Sequence, residues 1–390
     1  MAGDAHAVVS ARGARRWAAG HPWIFKSDVM RPPDAPPGSV GVRDNTGRPI
    51  GVALWSPVSE IALRQLASAP GERIDAEWMH ARLAAAIARR TPLIGSSTAY
   101  RLVFGEGDGL PSLVVDRYDR WLVVQFLSAG IEAFRHDIVD ALLAITGAQG
   151  ILGRNDASVR AREGLARLVE PLSGTVPQEI EIEEHGVRYL AAPHSGQKTG
   201  AFLDQRENRV LLGGLARGNA LDLFSYHGSF SLHLAARAAH VTAVDSSAHA
   251  LERAHQNAAL NGKANITMVE EDAFDFVRTT LRDGVRYDTI ALDPPAFAKN
   301  RASLDGAVRG YRDLNLHAMR LLEPGGLLFT ASCSYHLSRS GFMDMLHDAA
   351  GASGRRMILR QTTGQPLDHP EVLTIPETGY LKGALLEAAS

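Results

Sequence analysis

LDLFSYHGSFSLHLA (221–235) runs from a strand through a tight loop into a helix. Asp222 stands at the carboxyl end of that strand, and Gly228 lets the backbone pass close to a ligand. In open α/β sheets, ligands bind at the carboxyl ends of the strands, where the strand order reverses. Of a G-x-G-x-x-G fingerprint the loop keeps only Gly228, so the glycines of a pyrophosphate cradle are missing and NAD or FAD is disfavoured. A ligand without phosphates fits better.

Outward from this stretch, strand and helix alternate across residues 191–390. Strands are expected over 220–224, 241–244, 266–269, 289–292 and 327–331, with helices over 230–238, 247–261, 274–281 and 306–322 between them. After a helix near 341–349, the β-type stretches 355–360 and 380–386 read as a terminal hairpin around the long loop 361–379. Seven strands with that ending differ from the six-stranded parallel dinucleotide fold. Residues 1–75 form a turn-rich, β-rich module with little helical periodicity and strand-like stretches over 39–42, 50–54 and 61–66. Residues 76–190 mix the two: a helix over 76–93, two strands within SLVVDRYDRWLVVQFL (112–127) around an Asp-Arg-Tyr-Asp turn, and a helix over 131–145. The expected domains are therefore 1–75, 76–190 and 191–390.

Three more strand ends carry acids. AVDSSAHA (243–250) places Asp245 to accept from a ribose diol, 23 residues after Asp222. VEEDAFDF (269–276) places Asp272 to accept from an adenine amino group, with Ala273 and Phe274 to cover the ring. Each acid alone is commonly a helix N-cap; at successive strand ends they describe a nucleoside pocket. ALDPPAFAKN (291–300) makes Asp293-Pro294-Pro295 a stiff loop able to hold a carboxylate and carbonyls against a planar base, or simply a rigid turn. TASCSYHLS (330–338) carries Cys333, the only cysteine. A lone cysteine is usually a small buried hydrophobe, but this one shares the rim of Asp293.

Composition narrows the class. The chain has 390 residues, 45% hydrophobic and 22% charged, with a formal net charge of −2. That is an ordinary globular composition, and bulk charge does not hold it to nucleic acid. Residues 1–100 nevertheless carry 12 Lys+Arg against 8 Asp+Glu. One cysteine excludes an internal disulfide framework and a multi-cysteine metal site, and no metal is expected. No apolar run reaches membrane-spanning length and the N-terminus has no apolar h-region, so the cytoplasm is the expected compartment. Arginine is the default cation. Lysine occurs only at 26, 198, 263, 299 and 382, which makes each a candidate for a position that needs a lysine.

The set SYHGSF, VDSS, EDAF, LDPPAF and SCS resembles a class I S-adenosylmethionine-dependent methyltransferase. More specifically, HPWIF (21–25), GEGDGLPSLVVDRY (105–118), EEHGVRY (183–189), GQKTGAFLDQREN (196–208), SCS (332–334) and GYLKG (379–383) resemble, in order, the bacterial large-subunit ribosomal RNA cytosine carbon-5 methyltransferases. The resemblance covers nearly the whole chain. It implies an N-terminal PUA domain, a central α+β segment containing EEHG and a seven-stranded Rossmann-like methyltransferase domain. It implies S-adenosylmethionine as cofactor and 23S ribosomal RNA as partner, and it allows a homodimer. GQKTG fails as a phosphate loop, because Gln197 stands before Lys198 and Ala192 replaces the first glycine. In the family this segment closes over the cofactor, which implicates Lys198, Phe202, Asp204 and Arg206. The resemblance adds Phe224, Ser225, Tyr226, Gly228, Ser246, Asn257, Ala273, Phe274 and Pro294 to Asp222, Asp245, Asp272 and Asp293 on the cofactor side. Pro295, Phe297 and Lys299 face the base, and Arg12, Arg15, Arg16 and Lys26 face the RNA.

The implied chemistry follows from carbon 5 of cytosine being a poor nucleophile. A thiolate adding to carbon 6 makes carbon 5 enamine-like, and Cys333 is the only residue that can supply it. Asp293 would hold the amino or ring-nitrogen edge. Families with two cysteines carry the second, which assists release, just after the Asp-Pro-Pro or its equivalent; here that position is Ala296. That leaves Asp293 or water to take the part, with Lys299 a further candidate. Three other readings stay open at this stage. Asp-Pro-Pro followed by Phe297 also suits methylation of an amino or ring nitrogen. A second reading is a non-catalytic RNA-binding module on a methyltransferase-like fold, against which the intact acids stand. A NAD-dependent dehydrogenase is weakened by the missing glycines.

Overall fold

The computed structural model describes residues 5–297 and 303–389, and the chain divides into two units. One comprises residues up to Ile182 together with Ala191–Leu203 and Leu367–Gly379. The other comprises Glu183–Leu190, Asp204–Pro366 and the chain from Tyr380 onward. Among the described residues, no helix is long and apolar enough to cross a membrane.

The first unit holds a six-stranded sheet in the order Trp23–Phe25, Ile61–Ala67, Pro49–Trp55, Gly38–Arg43, His6–Val9, Val29–Arg31. The expected hairpin is its centre: Gly38–Arg43 pairs antiparallel with Pro49–Trp55. Asp44 closes the turn by accepting from the backbone N–H of Thr46 at 2.9 Å and Arg48 at 3.0 Å. A helix over Ala11–Ala18 stands in this module, which the sequence read as turn-rich with little helical periodicity. Ser10 caps it by accepting from Gly13 N, but only Gly13 and Trp17 are buried, too sparse an apolar repeat to read as a period.

A five-stranded sheet follows, in the order Leu168–Gly174, Gly150–Asn155, Trp121–Phe126, Leu113–Tyr118, Ala99–Phe104. Its expected Asp-Arg-Tyr-Asp turn shifts to Asp119-Arg120, because Asp116 and Tyr118 are buried strand residues. Asp116 accepts from Arg101 Nε at 2.7 Å and Nη2 at 2.8 Å. The expected helix over 131–145 breaks at Phe134 (φ −101°, ψ 14°) into Ala129–Glu132 and Arg135–Thr146. The helix expected over 76–93 ends at Ala88, and Thr91–Leu93 forms a 3-10 turn around Pro92.

The second unit is a doubly wound sheet. Its strands are β1 (Asn219–Leu223), β2 (His240–Asp245), β3 (Ile266–Glu270), β4 (Tyr287–Leu292), β5 (Leu322–Ser332), β6 (Met357–Thr363) and β7 (Lys382–Ala388). Its helices are α1 (Arg206–Leu215), α2 (Ser229–Leu234), α3 (Ala248–Leu260), α4 (Ala273–Arg282), α5 (Leu304–Arg320) and α6 (Arg339–Ser353). The order is β3-β2-β1-β4-β5-β7-β6. β7 runs antiparallel to both β5 and β6, which is the expected terminal hairpin. Apolar residues on both faces of a strand require cover on both faces. Leu221, Leu223, Ile290 and Leu328 pack on the side of Tyr311, Leu314 and Phe342, while Ala220, Leu327 and Phe329 pack on the side of Leu212, Phe230 and Leu234. The order reverses beside β1, whose neighbours are β2 and β4, so the carboxyl ends of these strands flank the crevice.

Glu184, of the EEHG stretch, is a buried counter-ion in this unit. Its carboxylate accepts from Arg209 Nε at 2.7 Å, Arg209 Nη2 at 2.6 Å and the Tyr189 hydroxyl at 2.8 Å, and lies 3.0 Å from His233 Nε2. Burial alone would raise its pKa. The Arg209 charge and hydrogen bonds outweigh that and hold it well below the usual carboxylate range.

Candidate active site

The loop after β1 is strained where it turns. Phe224 (φ 64°) and Tyr226 (φ 48°) lie in the left-handed region, which costs a non-glycine residue about 1 kcal/mol or more. Local bonds hold it there. Ser225 N donates to Val244 O at 3.0 Å, Tyr226 N to Asp245 Oδ2 at 2.9 Å, and Gly228 N to Ser225 O at 2.8 Å. Asn257, fully buried on α3, donates to His227 O at 2.9 Å and accepts from Leu190 N at 2.9 Å. Its amide is therefore spent on backbone, and it braces the loop from behind.

Asp222 is buried beneath the loop and accepts from Ser231 N at 2.9 Å and Ser231 Oγ at 2.6 Å. Burial pushes its pKa up to about 7, against the Ser231 bonds that favour the anion, and the charges of Asp293 and Asp245 add to the rise. Three carboxylates thus act on one another at the β1, β2 and β4 ends. Asp245 also accepts from Ser247 N at 2.9 Å, and Ser246 is exposed. Asp272 is exposed and caps α4, accepting from Phe274 N at 2.9 Å and Asp275 N at 3.3 Å. Ala273 is buried. Phe297 is ringed by Phe224 at 6.4 Å, Phe274 at 6.0 Å and Tyr311 at 4.6 Å between centroids, an apolar wall along the crevice.

The loops after β4 and β5 are tied together. Asp293 Oδ1 accepts from Gln205 Nε2 at 2.7 Å, and Gln205 in turn accepts from Asn208 Nδ2 at 2.6 Å. Pro294 is buried and Pro295 exposed. The Tyr311 hydroxyl donates to Pro295 O at 3.1 Å and lies 2.9 Å from Ser334 Oγ, so one side chain of α5 joins the Asp-Pro-Pro loop to the cysteine loop. Cys333, the single cysteine of the chain, is half-buried. Lys382, on β7, is buried beside it and donates to Ser334 O at 2.7 Å and Tyr380 O at 2.8 Å. Burial brings its pKa down to about 8, against the pull of Cys333.

Sequence reasoning missed Gln205, Asn208, Tyr311 and Lys382. Lys382 carried a signal in the scarcity of lysine. Tyr311 lies in an ordinary amphipathic helix, where nothing marks it out. Asp204 accepts from the Tyr380 hydroxyl at 2.7 Å, and Arg206 is fully buried and paired with Glu207 at 3.0 Å. Lys198 and Phe202 belong to the first unit, where the Lys198 ammonium sits 4.7 Å from the centre of the Phe202 ring. On the N-terminal helix, Arg12 is anchored to buried Asp28 at 2.8 Å and Arg16 lies over the Phe25 ring at 4.6 Å, while Arg15 and Lys26 are exposed. Lys299 lies outside the described residues.

The crevice fits a nucleoside-sulfonium ligand in its polar groups and its wall. Ser225 Oγ is buried without a hydrogen-bond partner, an orphan that a ligand group would satisfy. The facing carboxylates suit a ligand bearing an ammonium, a sulfonium and a diol, and the phenylalanine wall suits a purine. Among the described residues, no cluster of His, Cys, Asp and Glu is placed to hold a metal ion.

Residues 135–372 match the S-adenosylmethionine-dependent methyltransferase family, and residues 8–68 match the PUA-like domain. The chain belongs to the S-adenosylmethionine-dependent methyltransferases, with S-adenosylmethionine as its cofactor. Among its relatives are the ribosomal RNA large subunit methyltransferase I of Shewanella amazonensis, 40% identical over 372 residues (93% of this chain, 94% of the relative), and that of Tolumonas auensis, 40% identical over 379 residues (94% and 95%). A solved protein of Streptococcus mutans described as a SAM-dependent methyltransferase is 20% identical and superposes with a TM-score of 0.83, covering 98% of this chain and all of that one. A second solved methyltransferase-like chain, complexed with SAH, is 21% identical with a TM-score of 0.84 and the same coverage. At those identities the likeness is one of fold.

Proposed function

We propose that the protein methylates large-subunit ribosomal RNA, forming 5-methylcytosine at one position of 23S RNA with Cys333 as nucleophile. The relatives' names support the RNA class. The observation that carries the chemistry is the Tyr311 clamp, which fixes the Asp293 loop and the Cys333 loop to each other. In this reading the domains divide as 1–75, 76–190 and 191–390, and the PUA-like module presents Arg12, Arg15 and Lys26 to RNA backbone.

The β1, β2 and α4 ends hold the cofactor through Ser225, Tyr226, Asp245, Asp272 and Phe274, with Asp222 and Asn257 acting through the loop they brace. S-adenosylmethionine, when bound, supplies an electrophilic methyl group on a sulfonium. The target cytosine leaves its stack and enters between Phe297 and the Asp-Pro-Pro loop. Asp293, held by Gln205, receives the amino and ring-nitrogen edge. The Cys333 thiolate adds to carbon 6, forming an S–C bond and raising electron density at carbon 5. After methylation, the carbon-5 proton passes to Asp293 or to water as the S–C bond breaks, which returns the thiolate.

The test is methylation of 23S RNA by Cys333→Ala, together with Cys333→Ser, mapped by mass spectrometry. Loss of 5-methylcytosine formation with cofactor binding retained is expected. Full methyl transfer by Cys333→Ala would instead assign the Asp-Pro-Pro loop to an amino or ring nitrogen.

A further inference from the structure

A buried ammonium needs a reason to be there, since desolvation of an unpaired charge is expensive. Lys382 is only 4% exposed. It pairs across the sheet with Ser332, the residue before Cys333, so strand register fixes where it sits. Two of its three N–H donors are used on the carbonyls of Ser334 and Tyr380, at 2.7 and 2.8 Å. Neither carbonyl carries a charge to match it. Arg339, at the start of α6, acts on Lys382 as a like charge, and Cys333 is the group whose anionic form favours the ammonium. Tyr311 of α5 faces the same thiol.

We propose that Lys382 is a positioning residue that holds Cys333 as the thiolate, using the Ser334 and Tyr380 carbonyls as its tether. The inference rests on the reading of Cys333 as nucleophile. The only bond change it requires is loss of the thiol proton to solvent, which leaves an anion beside a fixed cation. An ammonium within reach of a thiol lowers the pH at which that proton leaves. The arrangement also explains why this position is a lysine in a chain that otherwise uses arginine. A compact ammonium fits between two carbonyls, whereas a planar guanidinium spreads its donors in a fork.

The experiment is the pH dependence of alkylation by iodoacetamide in the full-length protein, without RNA. In that reaction the sulfur displaces iodide, and the single cysteine makes the readout unambiguous. The wild-type midpoint is expected below the ~8.5 of a free cysteine. In Lys382→Gln it moves up by about one unit or more, and the alkylation rate at neutral pH falls about tenfold. Lys382→Arg keeps the charge but loses the two-carbonyl tether, and retains only part of the shift. A folded Lys382→Gln with an unchanged midpoint overturns the proposal. If that variant does not fold, a wild-type midpoint at or above ~8.5 overturns it alone. Failure of the nucleophile reading is seen separately, as RNA methylation by Cys333→Ala, which leaves the wild-type alkylation profile untouched.

Discussion

Glu184→Gln isolates one charge in a fully enclosed network. Both partners are 1% exposed, and the two Arg209 bonds, at 2.7 and 2.6 Å, are the shortest made by that carboxylate. The glutamine keeps the shape but turns one oxygen into an N–H2 group, so a donor faces the guanidinium donors. Arg209 stays charged in the variant, because a guanidinium does not give up its proton inside a protein. Leaving a buried charge unpaired costs about 3–5 kcal/mol. That is a large share of a total stability of about 5–15 kcal/mol. Urea denaturation followed by far-UV ellipticity measures it. All five tryptophans, at 17, 23, 55, 78 and 121, lie in the first unit, so their fluorescence does not report the loss. The pH dependence provides a second reading. The folded carboxylate titrates well below its ordinary 4.5, so its stabilisation is present above that value and is lost as pH falls through the depressed one. Glu184→Gln lacks that loss. A destabilisation under about 1 kcal/mol, the range of an exposed pair, would refute the reasoning.

Tyr311→Phe removes the bridge between the Pro295 carbonyl and Ser334, and methyl incorporation into RNA is expected to fall about 10–100-fold in kcat at a stability cost near 1 kcal/mol; an unchanged kcat would remove the clamp from the mechanism. Asp222 is a buried acid whose folded pKa is raised from 3.8 to about 7, so its stabilisation is complete below 3.8 and is lost as pH rises through 7, roughly 4 kcal/mol in all. Asp222→Asn keeps the Ser231 acceptor, so cofactor-free protein carrying it is expected to lose that slope and to outlast wild type at pH ~8 in thermal melts. Gly228→Ala places a Cβ 3.1 Å from that of Ala254 at φ 76°, and is expected to weaken S-adenosylmethionine binding by about tenfold in calorimetry. Gly262→Ala, at φ 61° in open space, costs about 1 kcal/mol of stability and leaves binding unchanged.

The second unit was legible because strand and helix there carry different apolar periods and each strand is long enough to show one. The antiparallel pairing of the last two strands was legible as a terminal hairpin, whereas the strand order came only from the fold. The acids at the strand ends were legible by position, yet position did not reveal how each is used: Asp272 caps α4 while Asp222 is locked on Ser231. Gln205 and Tyr311 were invisible because their partners, Asp293 and Ser334, lie 88 and 23 residues away in the chain. Local pattern carries no trace of such pairs. The helix Ala11–Ala18 escaped for the opposite reason, since its stability comes from a cap and one buried tryptophan rather than from a stripe.

The long loop between β6 and β7 has a consequence for synthesis. Residues 367–379 belong to the first unit, where the Asp368 carbonyl accepts from Arg90 at 2.7 Å and its carboxylate from Arg101 N at 2.8 Å. A chain emerging from its N-terminus therefore cannot finish the first unit until residues 367–379 have been made. Arg90 and Asp108 wait, already paired, for a segment encoded more than 250 codons later. A stop codon before codon 367 would thus leave both units incomplete rather than sparing the earlier one.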